Sequence, residues 1–426
     1  ITTIDEADQA VIGIYSSFLS GALYSGYLTL LPDIQTDLVY AVNGYTNTYG
    51  DIWRWNDILA TNSQIESVYA ALYTVIGRCN FLLDNAENMR KRMTDDDALD
   101  RLDVYCGEAY FARALAYSEL IKQFCKAYES DADAQNELGV VLRTHYYSDE
   151  PIKRASLYDS YQQVLSDLEL AEKALALGDD YDIAVDGYMY NSTYFNEYTV
   201  CALRARIALY MKKYDEAIKY ATKVIDSGHY FLSSATQLYD SQYSYYQYMW
   251  TSDNSTEVIW KIGFTSTSYG GALGQVFFNY DYNSMKPDYV PAQWVLSLYD
   301  SNDLRYSTFF QTFTTGHTHG LTWPLLAKYW GNEGLYNEAQ LLHVSMPKVF
   351  RLSEQYLIRA EAYVMNEDFA KAGKDITTLR KARYSTYGTS TAISKDNAMK
   401  IVEEERVNEL FMEGFRLMDL KRWHKG

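Results

Sequence analysis

The sequence predicts a mostly α-helical protein, and three observations carry that prediction. Apolar residues recur at helical spacing in segment after segment. Two of those segments are copies of one helix–turn–helix plan at a constant offset. Strand-like and irregular sequence is gathered into one long insertion, about 231–350, rather than spread along the chain. Helices are expected mainly over 57–127, 156–177, 196–228 and 351–423, the whole of 1–426 forming a single unit.

The repeated plan is plainest in RLSEQYLIRAEAYVMNEDFAKAGKDITTLRKAR, residues 351–383. Tyr356, Leu357, Ala360, Tyr363 and Val364 make one apolar stripe, and Phe369, Ala372, Ile376 and Leu379 make another. The polar break Asn366-Glu367-Asp368 reads as a tight turn between antiparallel helices. The stretch LRARIALYMKKYDEAIKYATKVI has the same plan, 155 residues earlier. That offset pairs Arg359-Ala360 with Arg204-Ala205, Phe369 with Tyr214 and Ala372 with Ala217. Small side chains where two helices cross let the backbones approach. A third pair, Arg113-Ala114, marks another first helix of this kind. The layout resembles tetratricopeptide helix pairs forming one layer, interrupted by a loop-rich insertion with short strands on the other side.

The remaining elements follow in order. DEADQAVIGIYSSF carries Ala7, Ala10, Val11, Ile14, Tyr15 and Phe18 on one helical stripe. Residues 31–59 are loop-like, with Pro32, Gly44 and Gly50 as breakers. Helices return in IESVYAALYTVIGRCNFLLDNAENM and ALDRLDVYCGEAYFARALAYSELIKQF. A loop over about 128–156 precedes the helix SLYDSYQQVLSDLELAEKAL, and an acidic, tyrosine-bearing loop from Gly178 to Tyr194 precedes the 196–226 hairpin. SQYSYYQYMW is polar and aromatic, EVIWKIGF reads as a short strand, a short helix follows Pro291, and 307–347 is loop-rich. IVEEERVNELFMEGFRLMDLKRW reads as one amphipathic terminal helix. Gly414 on its apolar face costs about 1 kcal/mol relative to alanine, so it marks close packing or a break. Glu405, Glu409 and Glu413, with Arg406 and Arg416, read as a structural ion-pair lattice rather than a metal or acid–base site.

Lys+Arg number 38 and Asp+Glu 56, a net charge of −18. Phosphate backbones would be repelled, which excludes nucleic acid as a partner. Cys79, Cys106, Cys125 and Cys201 have no C-x-x-C spacing and read as buried free thiols. His317-Thr318-His319 lacks a third ligand at useful spacing, so no metal is expected, and no phosphate loop or nucleophile elbow points to a cofactor or catalytic residue. No apolar run is long enough to span a membrane.

Taken together, several stretches resemble the SusD/RagB family of outer-membrane glycan-binding lipoproteins. These are GEAYFARALAY at 107–117, YDEAIKYATKVIDSGHYFL at 214–232, STEVIW at 255–260, YDSNDLRY at 299–306, RLSEQYLIRAEAYV at 351–364 and EEERVNELFMEGFRLMDLKRW at 403–423. The last is the most specific, matching ERxxELxxEGxRxxDLxRW at Glu405, Arg406, Glu409, Leu410, Glu413, Gly414, Arg416, Asp419, Leu420, Arg422 and Trp423. The resemblance implies a helix-pair layer opposite a loop-rich face, surface capture of an oligosaccharide or peptide, and delivery to a SusC-type TonB-dependent transporter. Members also carry a signal peptide, a lipid-bearing cysteine and a tail beyond DLxRW. The stretch Ile1 to Gly426 shows none of these, and its ends are expected to be trimmed, the anchor at the outer membrane resting on the resemblance alone.

The matching motifs are scaffold motifs, so site residues are argued from chemistry. A sugar offers an apolar C–H face and a rim of hydroxyls, and calls for aromatic platforms beside polar side chains. The 42 tyrosines supply rings with a polar tip. Three loop segments combine rings with amides and carboxylates. The first holds Tyr45, Tyr49, Trp53 and Trp55 with Asn43, Asn47, Asp51 and Asn56. The second holds Tyr269, Tyr280 and Tyr282 with Asn279, Asp281 and Asn283. The third holds Trp323, Tyr329 and Trp330 near His317, His319 and Asn332. Candidate ligand contacts are Tyr49, Trp53, Trp55, Tyr269, Tyr280, Tyr282, Trp323 and Trp330, and at least two of Trp53, Tyr280, Tyr282, Trp323 and Trp330 are expected to share a pocket. Trp260, Trp294 and Trp423 read as structural. The function expected is non-catalytic glycan capture. A tetratricopeptide-type scaffold for protein or peptide is the alternative, and a glycoside hydrolase the third.

Overall fold

The computed structural model describes every residue except 43–46, 177–184, 187, 188, 191, 318 and 389, and the backbone alone at 185, 186, 189 and 190. Asn43, Tyr45, Thr318 and most of the acidic loop expected from Gly178 lie outside the described residues.

The fold is mostly helical, and its helical layer is a succession of packed neighbours. Ser63–Arg92, Asp96–Phe124, Leu157–Leu175, Glu197–Tyr210, Tyr214–Ile225, Leu352–Met365 and Phe369–Arg383 each pack on the one before. Their starts are set by side chains that satisfy free N–H groups. Asn62 accepts from Gln64 and Ile65, and Asp95 accepts from Asp97 and Ala98. Ala205, Ala217, Ala360 and Ala372 are all fully buried at the hairpins.

The 155-residue repeat extends to turn geometry. Lys212 and Glu367 both adopt φ 59°. The N–H of Lys213 donates to the Ala208 carbonyl and that of Asp368 to the Tyr363 carbonyl, both at 2.8 Å. A left-handed residue with this bond back to the last turn is how a helix ends without orphaned carbonyls. Neither turn contains glycine or asparagine at the left-handed position, so packing of the two helices holds it there.

The insertion leaves the layer through Val258–Lys261 and returns through Lys348–Arg351, which pair antiparallel with Phe350 opposite Trp260. Around it a second core gathers Tyr246, Trp250, Phe277, Phe278, Tyr289, Phe309 and Phe411. Strands among the described residues are short and the sheets two-stranded.

Four expectations are corrected. Pro32 lies inside the helix Tyr27–Ile34, whose Leu28, Leu30, Leu31 and Ile34 are buried, so packing overrides the breaker. The loop at 128–156 contains Asp131–Gln135 and a hairpin of Leu138–Val141 with Arg154–Ser156. The loop-rich 307–347 contains a hairpin of Phe310–Thr314 with Thr322–Leu326 and a helix, Glu333–Ala339. The terminal helix is two, Ala398–Leu410 and Arg416–Arg422, broken where Met412 (φ 59°) and Gly414 (φ 90°) are left-handed. A Cβ at Gly414 would also sit 3.3 Å from the Thr29 carbonyl oxygen. Asp33 closes the break by accepting from the N–H groups of Gly414 (2.8 Å) and Arg416 (2.9 Å).

The ion-pair lattice expected on the terminal helix is a buried hub joining the two cores, with Arg406 and Arg416 outside it, the first paired with Asp419 and the second with Asp37 and Glu403. The Glu409 carboxylate accepts from Arg383 (3.0 Å), Arg351 (3.0 Å) and Arg305 (3.1 Å). Arg351 and Arg383 also bond Glu257 at 2.6 Å each, and Glu405 binds Arg305 and Arg380. Burial alone would raise the Glu409 carboxyl. The guanidinium groups of Arg383 and Arg351 outweigh it and hold the carboxyl well below the usual carboxylate range.

Candidate functional site

The site is built on a turn between the hairpin of Phe310–Thr314 with Thr322–Leu326 and the helix Glu333–Ala339. Gly331 turns the chain at φ 130°, where a Cβ would lie 3.0 Å from the His343 backbone nitrogen. Asn332 then caps the helix by accepting from the Leu335 N–H at 3.0 Å, and its own amide donates to Asp253 at 2.7 Å. These bonds occupy Asn332 and fix Trp330 and Glu333 on either side of it. A cavity of about 310 Å³ opens there, lined by Trp330, Glu333, Tyr336, Asn337 and His343 among others.

Tyr280, Tyr282 and Trp330 come together beside it. Tyr280 lies 5.6 Å from Trp330 and 5.8 Å from Tyr282, ring centre to ring centre. Trp330 is wedged edge-on to Phe278 at 4.8 Å yet remains 37% exposed, and Tyr282 is 51% exposed. Tyr282 has φ 73°, a costly conformation for a bulky residue. The Asp281 carboxylate holds it by accepting from the N–H groups of Asn283 (3.0 Å) and Ser284 (3.2 Å), and those bonds hold its carboxyl below the usual range. Burial, then the neighbouring Tyr336 hydroxyl, raise the Tyr282 phenol.

His343 supplies a polar atom that is already desolvated. Its Nδ1 lies 3.0 Å from the Trp330 carbonyl oxygen, so Nδ1 carries the proton and donates. Nε2 is therefore an acceptor, and it is buried without a partner. Burial lowers the imidazole's pKa, and it stays neutral at pH 7. With essentially no surface on Nε2, His343 braces Trp330 from behind, and the polar side chains that a ligand meets are Glu333, Tyr336 and Asn337 of the cavity lining.

The other predicted contacts lie elsewhere. Trp53 donates to the Val39 carbonyl at 3.4 Å and Trp323 to the Pro291 carbonyl at 2.9 Å. Val39 and Pro291 are register partners, so both indoles brace the same strand pair. Tyr49 packs edge-on to Tyr27 at 5.7 Å. Tyr269 is exposed and, among the described residues, makes no ring contact with Tyr280 or Tyr282. Trp55, with Leu28, Leu31, Ile58 and Leu59, lines a different groove of about 720 Å³. That groove is larger and mostly apolar, with Gln35, Glu66, Gln123 and Lys421 among the residues that line it. His317 lies 2.8 Å from the Pro287 carbonyl oxygen, to which its Nε2 donates.

Glu333, Tyr336 and His343 were not singled out in the sequence. Glu333 and Tyr336 sat in a stretch read as loop, and a lone histidine after Gln340-Leu341-Leu342 carries no pattern. The one available signal is a glycine followed by an N-cap asparagine, Trp-Gly-Asn-Glu at 330–333, which marks a capped helix start behind an aromatic.

The fold itself, a mostly helical scaffold with short strands, is shared with known proteins. Two family profiles match the chain, the SusD family over 317–426 and "Starch-binding associating with outer membrane" over 21–209. The two SusD-type profiles together span most of the chain, which belongs to the SusD family, and the second profile's description is of starch binding in association with the outer membrane. Among solved structures, a SusD superfamily protein from Bacteroides thetaiotaomicron is similar with a TM-score of 0.82 at 23% identity, over 99% of this chain and 89% of that one. A putative sugar binding protein from Bacteroides vulgatus gives 0.78 at 24% identity, over 100% and 88%. Surface glycan-binding protein A from Bacteroides fluxus gives 0.71 at 19% identity, over 100% and 90%. At these identities the likeness shows the fold. No curated protein matches the sequence significantly.

Proposed function

We propose that this protein captures a neutral oligosaccharide or polysaccharide at the cell surface and passes it to a SusC-type TonB-dependent transporter, held at the outer membrane by a lipid anchor. The observation that carries this reading is the joining of Trp330, Tyr280 and Tyr282 beside a cavity lined by Glu333, Tyr336 and Asn337. One sugar face stacks on the rings while its hydroxyls meet those polar side chains. Binding occurs without turnover. Glu333 is the single carboxylate lining the cavity among the described residues, whereas glycoside hydrolysis uses an opposed pair.

Titration calorimetry against malto-, cello-, xylo- and manno-oligosaccharides tests the reading. Trp330→Ala is expected to weaken the best binder by about 1–3 kcal/mol, in line with ring stacking. Tyr282→Ala, at an exposed ring of the same cluster, is expected to weaken it as well, with a melting temperature near wild type and no reducing sugar released. Unchanged affinity in both variants overturns the site. The aliphatic groove at Trp55 and Leu59 favours a second reading, docking of an apolar protein segment, which predicts peptide binding lost in Leu59→Asp and indifferent to Trp330→Ala.

A further inference from the structure

A second group of rings stands on the insertion, outside the cavity. Tyr239 and Tyr248 stack face to face at 3.7 Å and 16°, and Tyr245 meets Tyr239 edge-on at 5.7 Å and 83°. Tyr239 is 46% exposed and Tyr245 45%, whereas Tyr246 and Trp250 on the same helix are buried. The exposed rings are thus not core. They form an open aromatic corner.

The corner is rigidly mounted. Tyr239 and Tyr243 bond across a tight turn at 2.9 Å, and the Tyr245 N–H donates to the Gln237 carbonyl at 3.0 Å. The Asp240 carboxylate accepts from the N–H groups of Gln242 and Tyr243, both at 2.7 Å. Ser244 and Gln247 cap the helix that presents Tyr245 and Tyr248. This turn also touches the cavity described above: the Tyr243 hydroxyl donates to the Glu333 carboxylate, which lines it. Burial and that bond push the Tyr243 phenol up to about 12, so the hydroxyl keeps its proton.

Resting on the glycan-binding reading, we infer that the Tyr239–Tyr245 corner is a second stacking platform for the same ligand, so that the site takes an extended, uncharged oligosaccharide spanning both platforms. A chain lying on Trp330 and Tyr282 at one end meets Glu333 and Tyr243 in the middle, where carboxylate and phenol oxygens can accept from ring hydroxyls. It reaches Tyr239 and Tyr245 at the other end. Asp240, Asp281 and Glu333 are carboxylates along this path, and no lysine or arginine lines the cavity among the described residues. Uronic-acid and sulfated chains are therefore disfavoured. Two platforms covered by one chain act as linked sites, so affinity grows with chain length until both are covered.

The test uses the whole chain and the same four oligosaccharide series, each as disaccharide and hexasaccharide. The wild type is expected to bind a hexasaccharide at least tenfold more tightly than the matching disaccharide. Tyr245→Ala is expected to remove about tenfold from the hexasaccharide and nothing from the disaccharide, with Tyr239→Ala as a second variant should either change stability. Trp330→Ala weakens both lengths. Equal affinity for the two lengths, or hexasaccharide binding untouched in both tyrosine variants, overturns the second platform while leaving the first in place. No binding of any series, or binding indifferent to Trp330→Ala, overturns the glycan reading itself and the extension with it.

Discussion

Glu108 is a carboxyl that the fold holds in its neutral form. It is fully enclosed between the first helix, Ile4–Ser17, and Asp96–Phe124, where the Tyr15 hydroxyl donates to it at 2.6 Å. Burial pushes its pKa up to about 8, against 4.5 for an ordinary glutamate. The folded protein therefore binds a proton that the unfolded chain releases above its ordinary value. Stability from this group falls as pH rises from about 4.5 to about 8, then levels off. Glu108→Gln keeps an oxygen for Tyr15 and removes the titration. Its melting temperature is expected to overtake the wild type's across that window, and melts in a pH series check this. Asp33, pushed up to about 7 by burial, slopes the same way in both proteins and cancels in the comparison.

At the scale of elements, the repeat is what the sequence made legible. The period of apolar residues, the aligned alanines and the polar break located both hairpins. Their matching turns at Lys212 and Glu367 follow from that plan. Ala205→Leu or Ala360→Leu is expected to cost about 1–3 kcal/mol, because four fully buried alanines leave no room where the helices cross. Chemical denaturation measures it, and an unchanged midpoint in both variants would disprove the crossing. Less legible was the insertion. Its hairpin of Phe310–Thr314 with Thr322–Leu326 is held by long-range packing on the second core, which local pattern does not reveal. For the same reason Trp53 and Trp323 resembled platforms in sequence: irregular spacing cannot tell an exposed ring from one bracing a strand pair. Tyr280, Tyr282 and Trp330 were found by composition, but their meeting depends on a turn some 50 residues away in sequence.

For the molecule as a whole, Glu409 is the point where both cores meet. Glu409→Gln weakens its hold on three buried guanidinium groups and is expected to cost about 3–5 kcal/mol, the penalty for breaking rather than replacing a buried pair. Calorimetry should record one transition moved to lower temperature, since neither core keeps its seam without the hub. Ligand affinity of the folded variant should be unchanged. Two transitions, or a folded protein that no longer binds, would refute this. The Asp33 clasp has a consequence for the order in which the chain is made. Asp33 and the amides that satisfy it, those of Gly414 and Arg416, stand 381 and 383 residues apart. On the ribosome the Tyr27–Ile34 helix must wait, its carboxylate still wet, until nearly four hundred further residues have emerged, so this clasp closes only after the helical layer between its two halves has been made.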